Sequence, residues 1–596
     1  MSAIIGYWGS GVRDELDAVL AQCFNTTHTS FQNLPTSPHQ NGDGGSGARI
    51  AALRYFGQHV RGAGNDEVLT ASLSASGLAT DAHALIEAGA HGLRLRRDPF
   101  GRVPLYWMQC DDVVWFSSQL QLLLPILKNA EMATAGLYGY ACFSWVPPPL
   151  TPLENIFAVP AGSEVEFVVP PSGSDSTRIR QHHGTTNKWH DWRVTDAEVN
   201  DAAAAVRQLR ALLTQAIEEQ ISDLSAEPVG VFLSGGLDSS IVAAMLVRAG
   251  VQVKAYALDF GEYGLSELPF AESVAQHLKI PLIKVDASPR CIRKALMATA
   301  RALDLPFGDG VTVPLFLLNE AASRDVRIVF NGEGGDQLFA GWANKPIIAS
   351  GVYEQLNPAG DDFEQAYLRT FHRLHGYEAN IFNEQMLSET ATLNPRAWLA
   401  EALDNSQGLS FLNRLRRANL MLKGAQNIQP RATNLALAHG LAVRTPFCSL
   451  PLTDWTFRVS GELSLRGSCE KYLLKCAVAE WLPADIVWRE KRGMGVPLTQ
   501  WCLGPFWREL GRWLRPDVLR AEGCWQSDLA LRVAMGRLSG QVQGRRIGEI
   551  LWLLLMWQVW RQTMLPCGQE SESRQTLYNP FWLPPRVWQW KYQAMM

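Results

Sequence analysis

The first third of the sequence carries short apolar runs that are separated by glycine, proline and aspartate. Residues 2–8, 113–117 and 164–169 are runs of this kind. Each is shorter than a typical helix and is bounded by residues that favour turns, so the pattern predicts β-strands. We therefore expect a sheet-rich domain over this part of the chain.

From about residue 200 the apolar positions follow a helical repeat instead. The positions that recur three or four residues apart are Val206, Leu209, Leu213, Ile217 and Ile221. Short apolar strands then alternate with helices: strands are predicted at 229–233, 253–258, 280–285 and 326–330, and helices at 239–249 and 270–278. This alternation predicts an α/β fold with a doubly wound parallel sheet. Beyond about residue 350 we expect a largely helical chain.

A polar segment separates these two patterns. Residues 170–190 are rich in serine, threonine, glycine and histidine, a composition typical of loops. The total length of 596 residues is sufficient for two or more domains. We predict a domain over residues 1–190 and a second one over residues 200–596.

The net charge and the spacing of the cysteines limit which types of binding partner and which cellular compartment we expect. The net charge is −4, which gives no sign of the basic surface that nucleic-acid-binding domains present. The ten cysteines form no C-x-x-C pair, so we interpret them as reduced thiols of a cytoplasmic protein. The first residues lack the features of a signal peptide, and the longest apolar run, 551–557, is too short to span a membrane. We expect neither a nucleic-acid nor a membrane partner.

The strongest chemical signal is the segment SGGLDSS at residues 234–240, between a predicted strand and a predicted helix. A Gly-Gly turn lets backbone N–H groups approach a phosphate closely, and the helix N-terminus adds a partial positive charge. Asp238 would repel a bare phosphate, so an acid in this turn implies a cation, most simply Mg²⁺. A G-x-x-x-x-G-K-[ST] loop, which binds phosphates in P-loop enzymes, is absent from the sequence.

SGGLDSS resembles the pyrophosphate loop of ATP pyrophosphatases, which cleave ATP between the α and β phosphates. Further segments resemble asparagine synthetases. They are NGEGGDQLF at 331–339, the R…A-x-G…R-x-P-F pattern at 431–447, Lys471 with the L-P and R-x-K-x-G segments at 482–493, and RDPFG with PLY at 97–106. The resemblance spans roughly residues 1–565. It implies an N-terminal, amidotransferase-like domain of the Ntn type and a C-terminal, ATP-pyrophosphatase-type synthetase domain.

The resemblance also implies roles for individual residues. The implied nucleotide-binding residues are Leu233 and Leu258 beside adenine, Gly332, and the loop residues Ser234, Gly235, Gly236, Asp238, Ser239 and Ser240 around pyrophosphate. Asp238 and Asp336 would share Mg²⁺, and Lys471 would bind phosphate. Lys491 would stabilise charge on the pentacovalent phosphorus and on the tetrahedral intermediate. Glu333 is the candidate base for an attacking amine, and the alternative is that it only accepts N–H bonds of its loop.

The sequence departs from glutamine-using asparagine synthetases in its first domain. Those enzymes need a cysteine directly after the initiator methionine, whereas this chain has Ser2, and its first cysteine is Cys23. The glutamine-binding N-G-E motif is also missing, because the corresponding segment, 69–76, reads LTASLSAS. A Ser2 nucleophile is conceivable, but we expect the first domain to lack glutaminase activity. The nucleophile should then be an amine of the substrate.

Chains of this kind that lack the cysteine resemble two branches, the β-lactam and carbapenam synthetases and the lasso peptide cyclases. Three features favour the lasso branch. They are Cys448-Ser449 after Pro446-Phe447, Gln337 after Asp336, and the tryptophans of the C-terminal half, which would suit an apolar peptide groove: Trp501, Trp507, Trp513, Trp525, Trp552, Trp557, Trp560, Trp582, Trp588 and Trp590. For any one tryptophan, packing in the core is the alternative.

The expected reaction follows from the leading branch. A lasso peptide cyclase would adenylate an Asp or Glu side chain of a core peptide and join it to the N-terminal amine, releasing AMP and pyrophosphate. The expected cofactors are ATP and Mg²⁺, and the expected partners are a precursor peptide and a leader peptidase. A β-lactam synthetase-like or asparagine synthetase-like ligase for small molecules is the alternative.

Overall fold

The computed structural model describes most of the chain. The described residues are 3–9, 18–19, 32–33, 50–56, 60–64, 68–78, 81–89, 92–168, 184–193, 199–263, 267–341, 367–368, 374–404, 411–490, 493–538, 544–565 and 579–587.

Two antiparallel sheets of six strands form the N-terminal part. The strands are β1 Ala3–Gly9, β2 Gln32–Asn33, β3 Ile50–Phe56, β4 Val60–Gly64, β5 Val68–Leu73, β6 Ala84–Gly89, β7 Gly92–Arg97, β8 Tyr106–Cys110, β9 Val113–Ser117, β10 Ile156–Ala158, β11 Ser163–Val168 and β12 Thr185–Lys188. Their orders are β10-β8-β9-β1-β3-β2 and β12-β11-β7-β6-β5-β4. Buried and partly exposed residues alternate along β6 and β11, as expected for sheets with one face on a core.

A five-stranded parallel sheet organises the C-terminal part. Its strands are β13 Val229–Phe232, β14 Val253–Asp259, β15 Leu282–Asp286, β16 Ile328–Phe330 and β17 Ala442–Arg444, and a hairpin of β18 Leu465–Arg466 and β19 Cys469–Glu470 follows. The order β15-β14-β13-β16-β17 reverses direction between β13 and β16. Ligands of open parallel sheets bind at the carboxyl ends of the strands beside such a switch point.

Helices make up most of the rest. They are α1 Thr134–Phe143, α2 Ala202–Ile221, α3 Leu237–Arg248, α4 Leu268–Leu278, α5 Pro289–Leu303, α6 Thr312–Ala322, α7 Gly335–Leu338, α8 Glu378–Ile381, α9 Glu384–Thr390, α10 Ala400–Leu403, α11 Phe411–Asn419, α12 Gln429–Ala438, α13 Leu450–Phe457, α14 Gly461–Ser464, α15 Tyr472–Val478, α16 Ala484–Val487, α17 Leu498–Cys502, α18 Trp507–Trp513, α19 Pro516–Glu522, α20 Leu529–Ala534 and α21 Gly544–Met564. A π-helix, Leu420–Ile428, joins α11 to α12, and 3₁₀ turns lie at Leu120–Leu122, Leu124–Ile126, Gly261–Tyr263 and Pro580–Trp582.

The architecture agrees with the predicted fold class, since a sheet-rich part precedes a parallel sheet with helices. Individual boundaries of the predicted strands and helices differ by no more than two residues. The predicted linker 170–190 contains β12, which pairs with β11, so its end extends the second N-terminal sheet. The predicted helix after residue 200 is α2, and Asp201 caps it by accepting the N–H of Ala204.

The two parts share contacts through buried groups. The Tyr140 hydroxyl in α1 donates to the carbonyl of Leu553 in α21. The carboxylate of Asp304, after α5, accepts the N–H groups of Leu120 and Gln121. Helix α21 is buried from Ile550 to Trp560 in the core. Over the described ranges, every helix is too short or too polar to cross a membrane.

Candidate active site

The SGGLDSS segment turns between β13 and α3, as predicted. Gly235 has φ +72, and a Cβ there would lie 2.5 Å from the backbone nitrogen of Ala271, so only glycine fits. Gly236 is the N-cap of α3, and its carbonyl accepts the hydroxyls of Ser239 and Ser240 at 3.1 and 2.7 Å. The turn is therefore preorganised by its own serines.

A second loop, after β16, packs directly against the first. A Cβ on Gly332 would lie 2.6 Å from the backbone nitrogen of Ser239, and one on Gly335 would lie 2.6 Å from Cγ of Asp238. The two loops can approach this closely only because both positions are glycine. The approach brings Asp336, in the first turn of α7, next to Asp238 at the switch point of the sheet.

Lys471 joins these two carboxylates. Its Nζ lies 2.6 and 2.5 Å from the two oxygens of Asp238 and 2.5 Å from Oδ1 of Asp336. The side chain is only 2 % exposed. The expectation that Lys471 binds phosphate stays a prediction, and the structure places its ammonium between the carboxylates.

The loops open into a cavity of about 520 Å³. Its lining includes seven predicted nucleotide-binding residues, the predicted base Glu333 and the predicted metal ligand Asp336; the seven are Leu233, Ser234, Gly236, Asp238, Ser239, Leu258 and Gly332. Gly235 and Ser240 support the turn without lining the cavity, and Ser240 is fully buried. A pocket of this size, with apolar walls and convergent polar groups, is typical of small-ligand sites.

Glu333 faces the cavity beside a buried arginine. Its Oε1 lies 3.7 Å from Nη2 of Arg431, and its backbone N–H donates to Oδ1 of Asn331 at 3.1 Å. Arg431 also contacts Oδ2 of Asp309 at 2.8 Å and Oδ1 of Asn427 at 3.1 Å. Glu333 is thus held by its loop and is also available to the cavity, because a third of its side chain is exposed.

Sequence reasoning missed Asp309. It lines the cavity and holds Arg431, although 122 positions separate the two residues. The only available signal was the matched motif that contains Arg431, which does not identify its partner. Lys423, on the π-helix, also lines the cavity and was not singled out.

The described residues do not include Lys491, Ser2 or Cys23, so what the sequence predicts for these three residues stays a prediction. The residues that follow Lys491 in the chain, from Gly493 to Val496, line the cavity.

The expected tryptophan groove is wrong for the tryptophans from Trp501 to Trp560. All the predicted groove tryptophans from Trp501 to Trp560 are buried in the core, 0–5 % exposed, and none of them lines the cavity. Trp582 is 67 % exposed, and Trp588 and Trp590 lie outside the described residues. Burial of apolar area drives these rings inward, which composition alone could not distinguish from a groove.

Ser74 and Ser76 lie in the segment that we predict to replace the glutamine-binding motif, and they contact each other and neighbouring polar groups. The Ser76 hydroxyl lies 2.6 Å from Oδ2 of Asp81 and 3.0 Å from that of Ser74, and His83 Nδ1 accepts the N–H of Ala75. Burial lowers the pKa of His83, with a further contribution from the charge of Arg102. We call Ser74, Ser76, Asp81 and His83 the N-terminal polar cluster.

The same segment docks onto the parallel sheet. The N–H of Val443 donates to the carbonyl of Ala75, and the guanidinium of Arg444 donates to the carbonyl of Ser76. Arg444 also donates to Gln220 O and forms a bidentate pair with Asp223 at 2.8 and 2.9 Å. The segment therefore connects the N-terminal part of the chain to strand β17 of the parallel sheet.

Asp238 and Asp336 fit a magnesium ion by their chemistry. Both offer hard carboxylate oxygens, and they lie close enough to share one cation, as their contacts with Lys471 demonstrate. Within the described ranges, no group of three or more His, Cys, Asp or Glu side chains is arranged to hold a metal. Two carboxylates completed by substrate phosphates are the usual way in which enzymes bind Mg²⁺.

The chain matches the asparagine synthase family over residues 208–562 and the glutamine amidotransferase domain over residues 51–171. It is 25 % identical to asparagine synthetase [glutamine-hydrolyzing] 1 of Bacillus subtilis, across 79 % of this chain and 75 % of the relative. It is 24 % identical to a putative asparagine synthetase of Mycobacterium tuberculosis, across 80 % and 76 %. The solved structure of NMN synthetase from Francisella tularensis is 14 % identical to this chain, and the match covers 40 % of this chain and 93 % of the other, with a TM-score of 0.18.

Proposed function

This chain belongs to the asparagine synthase family, and we propose that, as a lasso peptide cyclase, it joins a carboxylate and an amine of the same peptide. The general activity that goes with this family is ATP-dependent ligation, in which a carbon–nitrogen bond is formed. The observation that supports ATP chemistry in this cavity is the contact between the SGGLDSS turn and the Asp336 loop at the switch point.

The first step activates the carboxylate, whose oxygen is a poor leaving group. A carboxylate oxygen of the substrate attacks the α-phosphorus of ATP, the bond from that phosphorus to the bridging oxygen breaks, and pyrophosphate leaves. Ser234, Gly236 and Ser239 lie where they could bind the pyrophosphate, beside the N-terminus of α3. Asp238 and Asp336 would hold Mg²⁺, which supplies Lewis-acid stabilisation of phosphate charge.

In the second step the amine attacks the acyl carbon, and the carbon–oxygen bond to AMP breaks. The amine must lose a proton, and Glu333 is the group that we assign to take it. An N-terminal amine has a pKa of about 7.7–8.0, so a useful fraction is already neutral at pH 7. Arg431, at 3.7 Å, orients Glu333, and Lys491 would stabilise the charged intermediates.

The N-terminal polar cluster supports a substrate that carries its own amine. Residues 74–76 are tied to β17 and to the guanidinium of Arg444 instead of facing a glutamine site. The proposed partners are therefore a core peptide and the leader peptidase that frees its α-amine. Closing the ring within one molecule replaces a bimolecular encounter by an intramolecular one.

A second candidate is an asparagine synthetase-like or β-lactam synthetase-like ligase for small molecules. The burial of Trp501, Trp552 and the other described core tryptophans favours it, because it removes the apolar groove expected for a peptide. The curated relatives also carry the name asparagine synthetase.

One substrate panel separates these candidates. We would incubate the full chain with ATP and Mg²⁺ and with a linear core peptide plus its protease, a small β-amino acid, or aspartate plus ammonia. The proposal predicts AMP and pyrophosphate, with a peptide product that is lighter by one water and blocked at its N-terminus. Stoichiometric ADP would contradict the ATP chemistry. AMP formation with a small substrate alone would replace the lasso assignment by the second candidate.

A further inference from the structure

We propose that the ammonium of Lys471 occupies the metal position and neutralises Asp238 and Asp336 until a nucleoside triphosphate binds. Mg²⁺ then binds together with the nucleotide. This inference rests on the proposed function, because it takes the two carboxylates as the ligands of Mg²⁺. It goes further in assigning an order to the binding of the metal and ATP.

The contacts of Lys471 are those of a substitute cation. One ammonium touches three carboxylate oxygens at 2.5–2.6 Å, inside a 2 % exposed side chain. The two contacts with Asp238 are charge-assisted hydrogen bonds, which are stronger than neutral ones, and the contact with Asp336 is an ion pair. A metal ion that used the same oxygens would meet the ammonium at close range, and two like charges at that distance repel strongly. The two cations therefore exclude each other while Lys471 stays in place.

The backbone holds Lys471 in this position. Lys471 has φ +55 and is the N-cap of α15, a conformation that costs a non-glycine residue energy and recurs at functional sites. A Cβ on Gly341 would lie 2.0 Å from Cε of Lys471 and 2.3 Å from Oδ1 of Asp336. The lysine stem is thus confined on one side by a glycine that leaves it just enough room.

A nucleotide provides what a free metal ion lacks. The phosphates of ATP are strong acceptors for an ammonium, and Asp238 lies in the turn where they would bind. When Lys471 turns to the phosphates, the oxygens of Asp238 and Asp336 become available to Mg²⁺. The dication, which gives up its water reluctantly, then also gains phosphate ligands.

The test measures metal binding without turnover. Free Mn²⁺ is followed by electron paramagnetic resonance with the full chain, with and without α,β-methylene-ATP, and with the analogue alone as a blank. We expect Lys471→Met to bind Mn²⁺ in the absence of nucleotide at least about tenfold more tightly than the wild type, which is the change in affinity that one charge-assisted hydrogen bond supports.

Lys475→Met is the matched control. Lys475 lies one turn later in α15, is equally buried and pairs with Glu470 at 3.5 Å, so its loss should leave Mn²⁺ affinity as in the wild type. Circular dichroism verifies the fold of each variant. The wild type provides a second measurement that needs no substitution, because its Mn²⁺ affinity should rise at least about tenfold when the analogue is bound.

Two outcomes separate this inference from the function on which it rests. Equal Mn²⁺ affinity in the wild type and Lys471→Met, with or without the analogue, would overturn the inference that Lys471 occupies the metal position. The assignment of Asp238 and Asp336 to the metal would be unaffected. Calorimetric binding of the analogue with no protein-dependent Mn²⁺ binding in any variant would overturn both this inference and the assignment of Asp238 and Asp336 to Mg²⁺.

Discussion

Among the residues that the structure describes, a group of neighbouring serine and aspartate side chains in the N-terminal half can be compared with one in the C-terminal half, because the two groups differ in their surroundings. In the N-terminal polar cluster, Ser76 and Asp81 are 2.6 Å apart and contact each other and their neighbours. In the C-terminal half, Ser234, Asp238 and Asp336 line a cavity of about 520 Å³ at the ends of two parallel strands.

The difference shows that residue type does not identify a site. Ser76 and His83 are buried, and the backbone around them is bonded to β17 and Arg444. The Ser76 hydroxyl and Nδ1 of His83 are therefore used for structure, since a buried polar group generally needs a partner. Asp238 and Asp336 share a partner, Lys471, that a nucleotide could attract, and they lie where the strand order reverses.

The largest expected effect is a loss of activity when carboxylates beside the switch point are removed, compared with removal of a carboxylate at the end of another strand. Asp238→Ala or Asp336→Ala should slow AMP formation by at least about 100-fold, because each removes charge at the phosphates. Asp286→Ala is the matched control: Asp286 ends β15, at the edge of the same sheet and outside the cavity. Its rate should stay within about twofold of the wild type. Equal losses in all three variants would contradict the contrast between the strand ends.

The sequence predicted those parts of the site that depend on local structure. The turn at Gly235 and Gly236 needs only a strand, two glycines and a helix, all visible within twelve residues. The parallel sheet also followed from the alternation of short apolar runs and helices. The reversal between β13 and β16, which explains why the second loop belongs to the same site, depends on how crossovers pack.

Long-range pairings lay beyond the sequence. Asp309 with Arg431 and Lys471 with Asp238 join residues 122 and 233 positions apart. The prediction of a tryptophan groove was wrong for a related reason. Trp552 and Trp557 are apolar side chains, but only tertiary packing determines whether they face a core or a groove. A resemblance in motifs supplied Asp336 and Glu333, and could not supply their neighbours.

The second prediction weakens the contact through which the N-terminal segment docks. Arg444→Leu should lower the free energy of unfolding by about 3 kcal/mol, because the buried carbonyls of Ser76 and Gln220 lose their donor. Chemical denaturation of the full chain measures it, with Arg324→Leu as the control, since Arg324 is mostly exposed and pairs with the exposed Glu320. A loss no larger than in this control would mean that the docking contact is not a stability element.

The third prediction concerns pH and the other interdomain contact. Burial raises the pKa of Asp304 from 3.8 to about 6, against the opposing hydrogen bonds from Gln121 and Leu120. The folded chain then keeps this proton between pH 3.8 and about 6, where the unfolded chain has lost it, so stability falls as pH rises through this window and is level above it. Relative to Asp304→Asn, the wild type should lose about 1 kcal/mol between pH 5 and 7.

Parallel denaturation curves of both proteins at pH 5, 6 and 7 provide the measurement. The difference between the proteins isolates Asp304 from other groups that titrate in this range. A difference that grows in favour of the wild type as pH rises would reverse the sign and exclude a buried, proton-retaining carboxyl at this contact.

The smallest expected effect is none at all, and it addresses the N-terminal half alone. We predict that residues 74–76 replace a glutamine-binding motif. They contact one another, Val443 and Arg444, so these contacts would have to break for glutamine to bind there. We expect the wild type to release no glutamate from glutamine above the blank in a glutamate dehydrogenase assay, and glutamine should not raise AMP formation.

Ser76→Ala is the matched variant, because it removes one hydroxyl from the N-terminal polar cluster while the cavity of the other half stays intact. Its affinity for α,β-methylene-ATP, measured by calorimetry, should stay within about twofold of the wild type. Glutamate release at the rate of ligase turnover, abolished in Ser76→Ala, would make the N-terminal polar cluster a second active site and remove the contrast between the two halves.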